Sequence, residues 1–172
     1  MKPYEPGWQW NPEICPADQH FIEWIDSNQY FDKTILHMGT GAHHRVGIEL
    51  GNHNSILGLT LSPDEILAYT ELVTQDEIIA GNYKVLFSDA HNLNPALLPS
   101  FDIITLFHLG EIYEPSTLSY SLEELVNMLR GKLKQGGFML AYTKSGSWKQ
   151  VMPIFDSILF RDETYKTLQV YT

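Results

Sequence analysis

The residues of this chain best suited to chemistry gather just after short apolar runs. The first group is Gly39-Thr40-Gly41-Ala42-His43-His44, which follows Thr34-Ile35-Leu36-His37-Met38. Glycine lets a backbone turn sharply and lets a ligand come close to it. A helix that starts after such a turn aims free N–H groups at that ligand. A dinucleotide fingerprint places glycine at the sixth position of the turn, where His44 stands. It also places a ribose-binding carboxylate about 20 residues on, where Thr60 stands. NAD is disfavoured on both counts.

The second group is the histidines, seven in all: His20, His37, His43, His44, His53, His91 and His108. Five of them, His37, His43, His44, His91 and His108, sit in or just after β-rich runs, and Glu111 and Tyr113 follow His108 closely. Three roles are open to this set. His108, Glu111 or His43 can act as a general base near neutral pH. Two histidines with Glu111 can ligate a metal. Or the side chains cap strand ends, hydrogen-bonded and inert. The His43-His44 pair lacks the i,i+4 spacing of a helical metal site, so no metal is expected.

The elements that must position these groups alternate along the chain. A short helix over about Ala17–Asn28 carries Phe21, Ile22, Trp24 and Ile25 on one face. Strands are predicted at Thr34–Met38, Ser55–Thr60, Tyr83–Phe87, Asp102–Phe107 and Phe138–Tyr142. Ser62-Pro63-Asp64-Glu65 is a capping box with a proline start, and it predicts a helix running to about Ile79. Ser121-Leu122-Glu123-Glu124 is another. It predicts a helix with Leu122, Leu125, Leu129 and Leu133 on one stripe, ended by Gln135-Gly136-Gly137. A last helix opens near Ser147 and is kinked or restarted at Pro153; Phe160 to Thr172 reads as a hairpin.

The fourth strand is apolar along nearly its whole length, which belongs inside a parallel sheet covered on both faces. The fold class is therefore α/β, a mostly parallel sheet with right-handed crossovers. Ligands of such sheets bind at the carboxyl ends of the strands. Strands one and four are expected to be neighbours, which would bring His43 or His44 near His108.

The 172 residues suit one domain, with residues 1–16 an extended arm and residues 17–172 the core. The arm carries Pro3, Pro6, Pro12 and Pro16 among Tyr4, Trp8 and Trp10. Its prolines block a regular helix, and its indoles call for packing against the domain. A hydrophobic fraction of 44% excludes a disordered chain. The net charge of −10 and the absence of a basic run argue against nucleic-acid binding. No run is long enough for a membrane span, and the N-terminus has no signal-peptide core. A lone Cys15 excludes an internal disulfide and fits a reduced, cytoplasmic compartment. Oligomeric state is left open.

Read in order, the motifs resemble those of class I S-adenosylmethionine-dependent methyltransferases. Ile35-Leu36-His37-Met38-Gly39-Thr40-Gly41 is similar to the family's first motif. Leu57-Gly58-Leu59-Thr60-Leu61-Ser62 is similar to the end of its second strand, and Ser88-Asp89-Ala90 to the acidic motif after its third. Phe101–His108 resembles the fourth strand, and Leu133-Lys134-Gln135-Gly136-Gly137-Phe138 the turn into the fifth.

The resemblance implies a Rossmann-like methyltransferase fold with helices on both faces and a C-terminal antiparallel hairpin. It implies S-adenosylmethionine as cofactor and a small-molecule acceptor, and, because the chain barely exceeds the core fold, no separate acceptor-binding domain is expected. Gly39 and Gly41 would pass the methionine part, Thr60 the ribose, and Asp89, with Ala90 and His91, the adenine; Thr40, Leu61 and Phe107 would be cofactor-binding as well. His108 and Glu111, with His43, would be the acid–base candidates. Three positions depart from the family pattern. His37 stands where an acidic residue is usual, His43 replaces the third glycine, and Thr60 replaces Asp or Glu. These departures imply weakened binding of the methionine half. They also keep open the alternative of a catalytically degenerate binding or scaffold protein.

Overall fold

The computed structural model describes residues 16–107 and 120–172. The arm before Pro16, and the candidates His108, Glu111 and Tyr113, lie outside the described residues.

The first helix, α1 (Ala17–Asn28), buries Ala17, Asp18, Phe21, Ile22, Trp24 and Ile25 on one stripe. Then come β1 (Thr34–Met38), α2 (Arg45–Leu50), β2 (Ser55–Thr60), α3 (Pro63–Gln75), α4 (Glu77–Asn82) and β3 (Tyr83–Phe87). Two short 3₁₀ turns, Ala90–Asn92 and Pro95–Leu97, lead to β4 (Phe101–Leu106). The chain closes with α5 (Leu122–Arg130), β5 (Leu133–Tyr142), α6 (Trp148–Ile158), β6 (Arg161–Tyr165) and β7 (Leu168–Tyr171).

These strands make one seven-stranded sheet in the order β3-β2-β1-β4-β5-β7-β6. The first five are parallel, and β7 runs antiparallel to both β5 and β6. Strand order reverses between β1 and β4, which puts the expected ligand crevice at their carboxyl ends.

Strand alternation divides the core in two. Leu36, Met38, Ile104 and Leu106 pack beneath α5 and α6 with Leu125, Leu129, Val151 and Phe155. Ile35 and Ile103 face the other way, onto Phe21, Trp24 and Ile25 of α1 and Val46 and Leu50 of α2. At the amino ends of the strands, Asp102 Oδ2 accepts from the Thr34 N–H at 2.8 Å, the Thr34 hydroxyl at 2.7 Å and Lys134 Nζ at 2.8 Å. One carboxylate thus ties together β1, β4 and β5.

The structure corrects several expectations. The helix after Ser62 stops at Gln75, not near Ile79. Asp76 is extended there, with φ −135°, and its side chain accepts from the N–H groups of Ile78 and Ile79. It thereby caps a new helix, because an Asx cap competes with helix continuation. The helix after Ser121 ends at Arg130, so Leu133 opens β5 and is no part of the helical stripe. Gln135-Gly136-Gly137 lies inside β5, where the register jumps from Phe101 opposite Leu133 to Ile103 opposite Phe138, leaving the single residue Asp102 of β4 against residues 134–137 of β5. Gly136 has φ +75°, the left-handed conformation such an irregularity needs. Finally, β4 begins at Phe101 and ends at Leu106, so Phe107 lies in the turn that follows. Pro153 sits inside α6 without restarting it.

Candidate functional site

The glycine turn follows β1 directly, and both its glycines use positive φ, +83° for Gly39 and +60° for Gly41. Their surroundings differ. A Cβ built on Gly39 would meet nothing within 4 Å, so the backbone there lies open to a ligand. A Cβ on Gly41 would stand 2.5 Å from His43 Nε2. The imidazole that replaces a third glycine therefore folds back over the second.

Side chains from three elements hold this turn. The Thr40 hydroxyl donates to Glu65 Oε2 at 2.8 Å. His44, the N-cap of α2, has φ +45°. Its Nδ1 lies 2.8 Å from the Tyr83 hydroxyl, and its Nε2–H donates to the Glu65 carbonyl at 2.6 Å. With Nε2 as donor, Nδ1 of the neutral ring accepts the Tyr83 O–H. Burial pushes the His44 pKa down and that of Tyr83 up, so this network stays neutral. His44 is thus a structural tie from the turn to α3 and β3. The α2 helix it opens is only six residues long.

A second polar cluster lies where α1 meets β1. Asp18, in the first turn of α1, points at two imidazoles: Oδ1 is 3.8 Å from His37 Nε2, and Oδ2 is 3.7 Å from His43 Nε2. His37 is only 1% exposed, and its Nδ1 lies 2.7 Å from Thr105 Oγ1 on β4. The His37 ring stacks on Phe21 and meets Phe107 edge-on. No hydrogen-bond partner of its Nε2 lies among the described residues. Burial drives the His37 pKa to about 3, helped by the neighbouring His43 and His44. Burial likewise takes His43 to about 4, with His44 and Arg45 adding to the shift. Asp18 is pushed up to about 7, chiefly by burial, with Arg45 opposing and Glu65 adding. Near pH 7 neither imidazole is charged, so these contacts are not ion pairs.

Other expected positions occupy neighbouring strand ends. Thr60, at the tip of β2, is 6% exposed, and its Oγ1 accepts the Ser62 N–H at 3.0 Å. Its hydroxyl proton stays available for donation. Leu61 follows, half-buried. After β3, Asp89 caps the first 3₁₀ turn: Oδ1 accepts from the His91 N–H at 2.9 Å and Oδ2 from Asn92 Nδ2 at 2.6 Å. A carboxylate has about four lone-pair sites, so a further donor can still bind. Ala90 and Phe107 are buried. His91 is buried too, its Nδ1 3.3 Å from the Tyr120 carbonyl.

The sheet therefore brings Gly39, Thr40, Gly41, His43, Thr60 and Asp89 to one edge. The expected pairing of His43 or His44 with His108 lies outside the described residues. No cluster of three or more His, Cys, Asp or Glu able to hold a metal occurs among the described residues. A shallow cleft at the ends of β4 and β5 is lined by Leu106, Tyr142, Ser145, Ser147 and Trp148. Sequence reasoning missed Asp18. Its signal was there: Asp18 lies three and four residues before Phe21 and Ile22, so it falls on the apolar stripe of α1.

No protein-family model matches the chain, and no curated protein does. Solved structures match over most of its length. The N-methyltransferase NodS from Bradyrhizobium japonicum, in complex with S-adenosyl-L-homocysteine, superposes with a TM-score of 0.68 at 13% identity, covering 94% of this chain and 90% of that one. The precorrin-6y C5,15-methyltransferase from Geobacter metallireducens gives 0.64 at 14% identity, covering 95% and 91%. A precorrin 8w decarboxylase from Methanobacterium thermoautotrophicum gives 0.61 at 16% identity, covering 96% of both chains. The fold is the Rossmann-like methyltransferase fold, as the motif order predicted.

Proposed function

We propose that this protein is an S-adenosylmethionine-dependent methyltransferase acting on a small-molecule acceptor. The observation that carries the reading is the open backbone at Gly39, flanked on successive strand ends by Thr60 and Asp89. That is space for a ligand beside a row of polar groups suited to a ribose and an adenine. Two of the similar structures are methyltransferases by name, and one holds S-adenosyl-L-homocysteine, which supports the reading.

The residues present fit the cofactor. Gly39, Thr40 and Gly41 would hold its methionine part, and Thr60 with Leu61 its ribose. Asp89, Ala90 and His91 would hold its adenine, the Asp89 carboxylate accepting from the exocyclic amine, and Phe107, which meets the His37 ring, would line the cofactor elsewhere. When bound, the cofactor supplies a methyl group on a sulfonium centre. The protein's part is alignment of an acceptor, which contributes most where both partners are held in place. We assign His108 and Glu111, with His43, as the groups that would take the acceptor's proton. Burial keeps the His43 pKa at about 4, so that ring is neutral at pH 7 and would be the weakest base of the three. Net charge −10 supports a partner other than nucleic acid. No helix among the described residues is long and apolar enough to cross a membrane. The lone Cys15 supports a cytoplasmic setting.

One observation favours a second reading, a catalytically silent binding protein: the His43 ring over Gly41 narrows the space at the methionine end. Calorimetric titration with S-adenosylmethionine and S-adenosylhomocysteine tests both readings. Binding in the micromolar range is expected, abolished by Asp89→Ala and retained by Glu111→Ala, with turnover lost only in an active enzyme. Undiminished affinity in Asp89→Ala would refute the adenine placement. Binding without methyl transfer to any amine, hydroxyl or carbon acceptor would select the silent protein.

A further inference from the structure

Asp18 and His37 have no role in the site as the motifs describe it. They come from different elements, α1 and β1, and meet behind the glycine turn. Both are buried: His37 is 1% exposed and Asp18 is 7% exposed. Their facing atoms, Asp18 Oδ1 and His37 Nε2, are 3.8 Å apart. That is too long for a hydrogen bond between them. It suits two acceptors that share one donor atom lying about 2.8 Å from each. Thr105 Oγ1 can accept from His37 Nδ1–H, which leaves the Nε2 lone pair facing Asp18. His43 completes the enclosure. The Arg45 N–H donates to its Nδ1 at 3.2 Å, so its proton sits on Nε2 and points at the other oxygen of Asp18.

Arg45 is the nearby cation, and its charge opposes the rise of the Asp18 pKa. The Arg45 side chain bonds to Glu49 and Gln19. A buried carboxyl beside neutral imidazoles, with no metal cluster among the described residues, is a receptor for a compact cation with several N–H donors. A primary ammonium is such a group. The exposed Gly39 and the half-buried Gly41 lie in the adjoining turn.

We propose that Asp18 and His37 receive the ammonium group at the aminoacyl end of the bound nucleoside, so that α1 supplies the carboxylate that the end of β1 lacks. This inference rests on the methyltransferase reading. His37 is then an acceptor because burial keeps it neutral, and the departure from an acidic residue at its position is compensated from another element. The ionisable groups around Asp18 are His37 on β1, His43 and His44 of the turn, Arg45 on α2 and Glu65 on α3. Of these, His37 and His43 stay neutral above pH 5. Asp18 must lose its proton to hold an ammonium, and it titrates near 7. Affinity for an ammonium-bearing ligand then rises about tenfold between pH 6 and pH 8.

The test compares S-adenosylhomocysteine with 5′-methylthioadenosine, which keeps the adenosine and thioether but lacks the aminoacyl group. Both are titrated calorimetrically into the wild-type protein and Asp18→Asn at pH 6 and pH 8. The expected result is a loss of roughly tenfold to a hundredfold for S-adenosylhomocysteine in Asp18→Asn at pH 8, with methylthioadenosine unchanged. In the wild-type protein the pH dependence should appear for the first ligand and be absent for the second. This pH arm needs no variant, so a poorly folded Asp18→Asn does not shield the proposal. Equal losses for both ligands, or an unchanged affinity for S-adenosylhomocysteine, would overturn it. If neither nucleoside binds the wild-type protein, the methyltransferase reading itself fails, and this inference with it.

Discussion

Replacing Asp18 with asparagine should stabilise the protein at alkaline pH, although the substitution lies in the core. The Asp18 carboxyl ordinarily titrates at 3.8, and burial raises it to about 7 in the folded chain. The folded state therefore holds this proton more tightly than the unfolded state does. Stability is lost as pH rises through the window from about 4 to about 7, the reverse of a salt-bridged carboxylate. At about 1.36 kcal/mol per pH unit, the full shift amounts to roughly 4 kcal/mol, of which about 2.6 kcal/mol falls between pH 5 and pH 8. Local relaxation around the charge reduces this, so about 1–2 kcal/mol is the working expectation. His37 and His43 impose the opposite slope, because their pKa values are lowered and they resist protonation as pH falls. The wild-type profile alone therefore mixes two trends, and the difference between wild type and variant isolates Asp18. Urea denaturation at pH 5 and pH 8 provides it: Asp18→Asn should gain stability relative to wild type on going to pH 8. A change in that difference below about 0.5 kcal/mol would show that Asp18 ionises as an ordinary carboxyl and that its pocket is wet.

Three further outcomes follow from the packing. Asp102→Ala should cost about 1 kcal/mol at pH 7, since the carboxylate loses Thr34 and Lys134 and is partly open to solvent. Burial raises the Asp102 pKa, but Lys134 and Thr34 outweigh it and bring it to about 2, so its contribution should vanish as pH falls from about 4 to 2 in acid denaturation. Tyr83→Phe leaves His44 Nδ1 without its hydroxyl partner and should destabilise by about 1–3 kcal/mol, read as a fall in urea midpoint at constant m-value. Gly47→Ala places a Cβ 2.3 Å from the Tyr83 ring and should cost about 1–3 kcal/mol, read as a lower Tm.

The fold was legible because its signals are local. The Ser62 and Ser121 caps mark helix starts at the predicted positions, and both side chains accept the expected N–H. The apolar run of β4 announced a strand covered on both faces, and Ile103 and Ile104 lie in the two core layers. The errors arose where a local signal had a competitor. Asp76 reads as one more helical residue until its carboxylate is seen capping Ile78 and Ile79. The glycines at 136 and 137 read as a helix stop, while pairing between Phe101 and Leu133 draws the strand back to meet them. The site was legible only in outline. Positions after each strand could be named, but the meeting of Asp18 with His37 and His43 depends on how α1 lies across β1, and no local pattern encodes that.

The turn after β1 shows how such a site keeps its shape while its motif letters change. Its conformation is fixed less by glycine than by the atoms around it: Thr40 on Glu65, His44 on Tyr83 and the Glu65 carbonyl. Those contacts require small neighbours. A Cβ on Gly58 would stand 2.5 Å from Thr40 Cγ2, and one on Gly47 would enter the Tyr83 ring. Gly47 and Gly58 thus serve packing, whereas Gly39 in the turn is open. Similarity of fold at 13–16% identity is then no paradox, because different side chains can hold the same backbone. It also explains why the fold alone does not set the chemistry: methyltransferases and a decarboxylase share this sheet. What distinguishes this chain is a small set of polar positions, His37, His43, Thr60 and Asp89 in or just after strands and Asp18 in the first turn of α1. Of these only Asp89 keeps the acidic character of its motif, and Asp18 adds a carboxylate from outside it. On the proposed reading, these two carboxylates would sit at opposite ends of one nucleoside, and each would serve a different half of it.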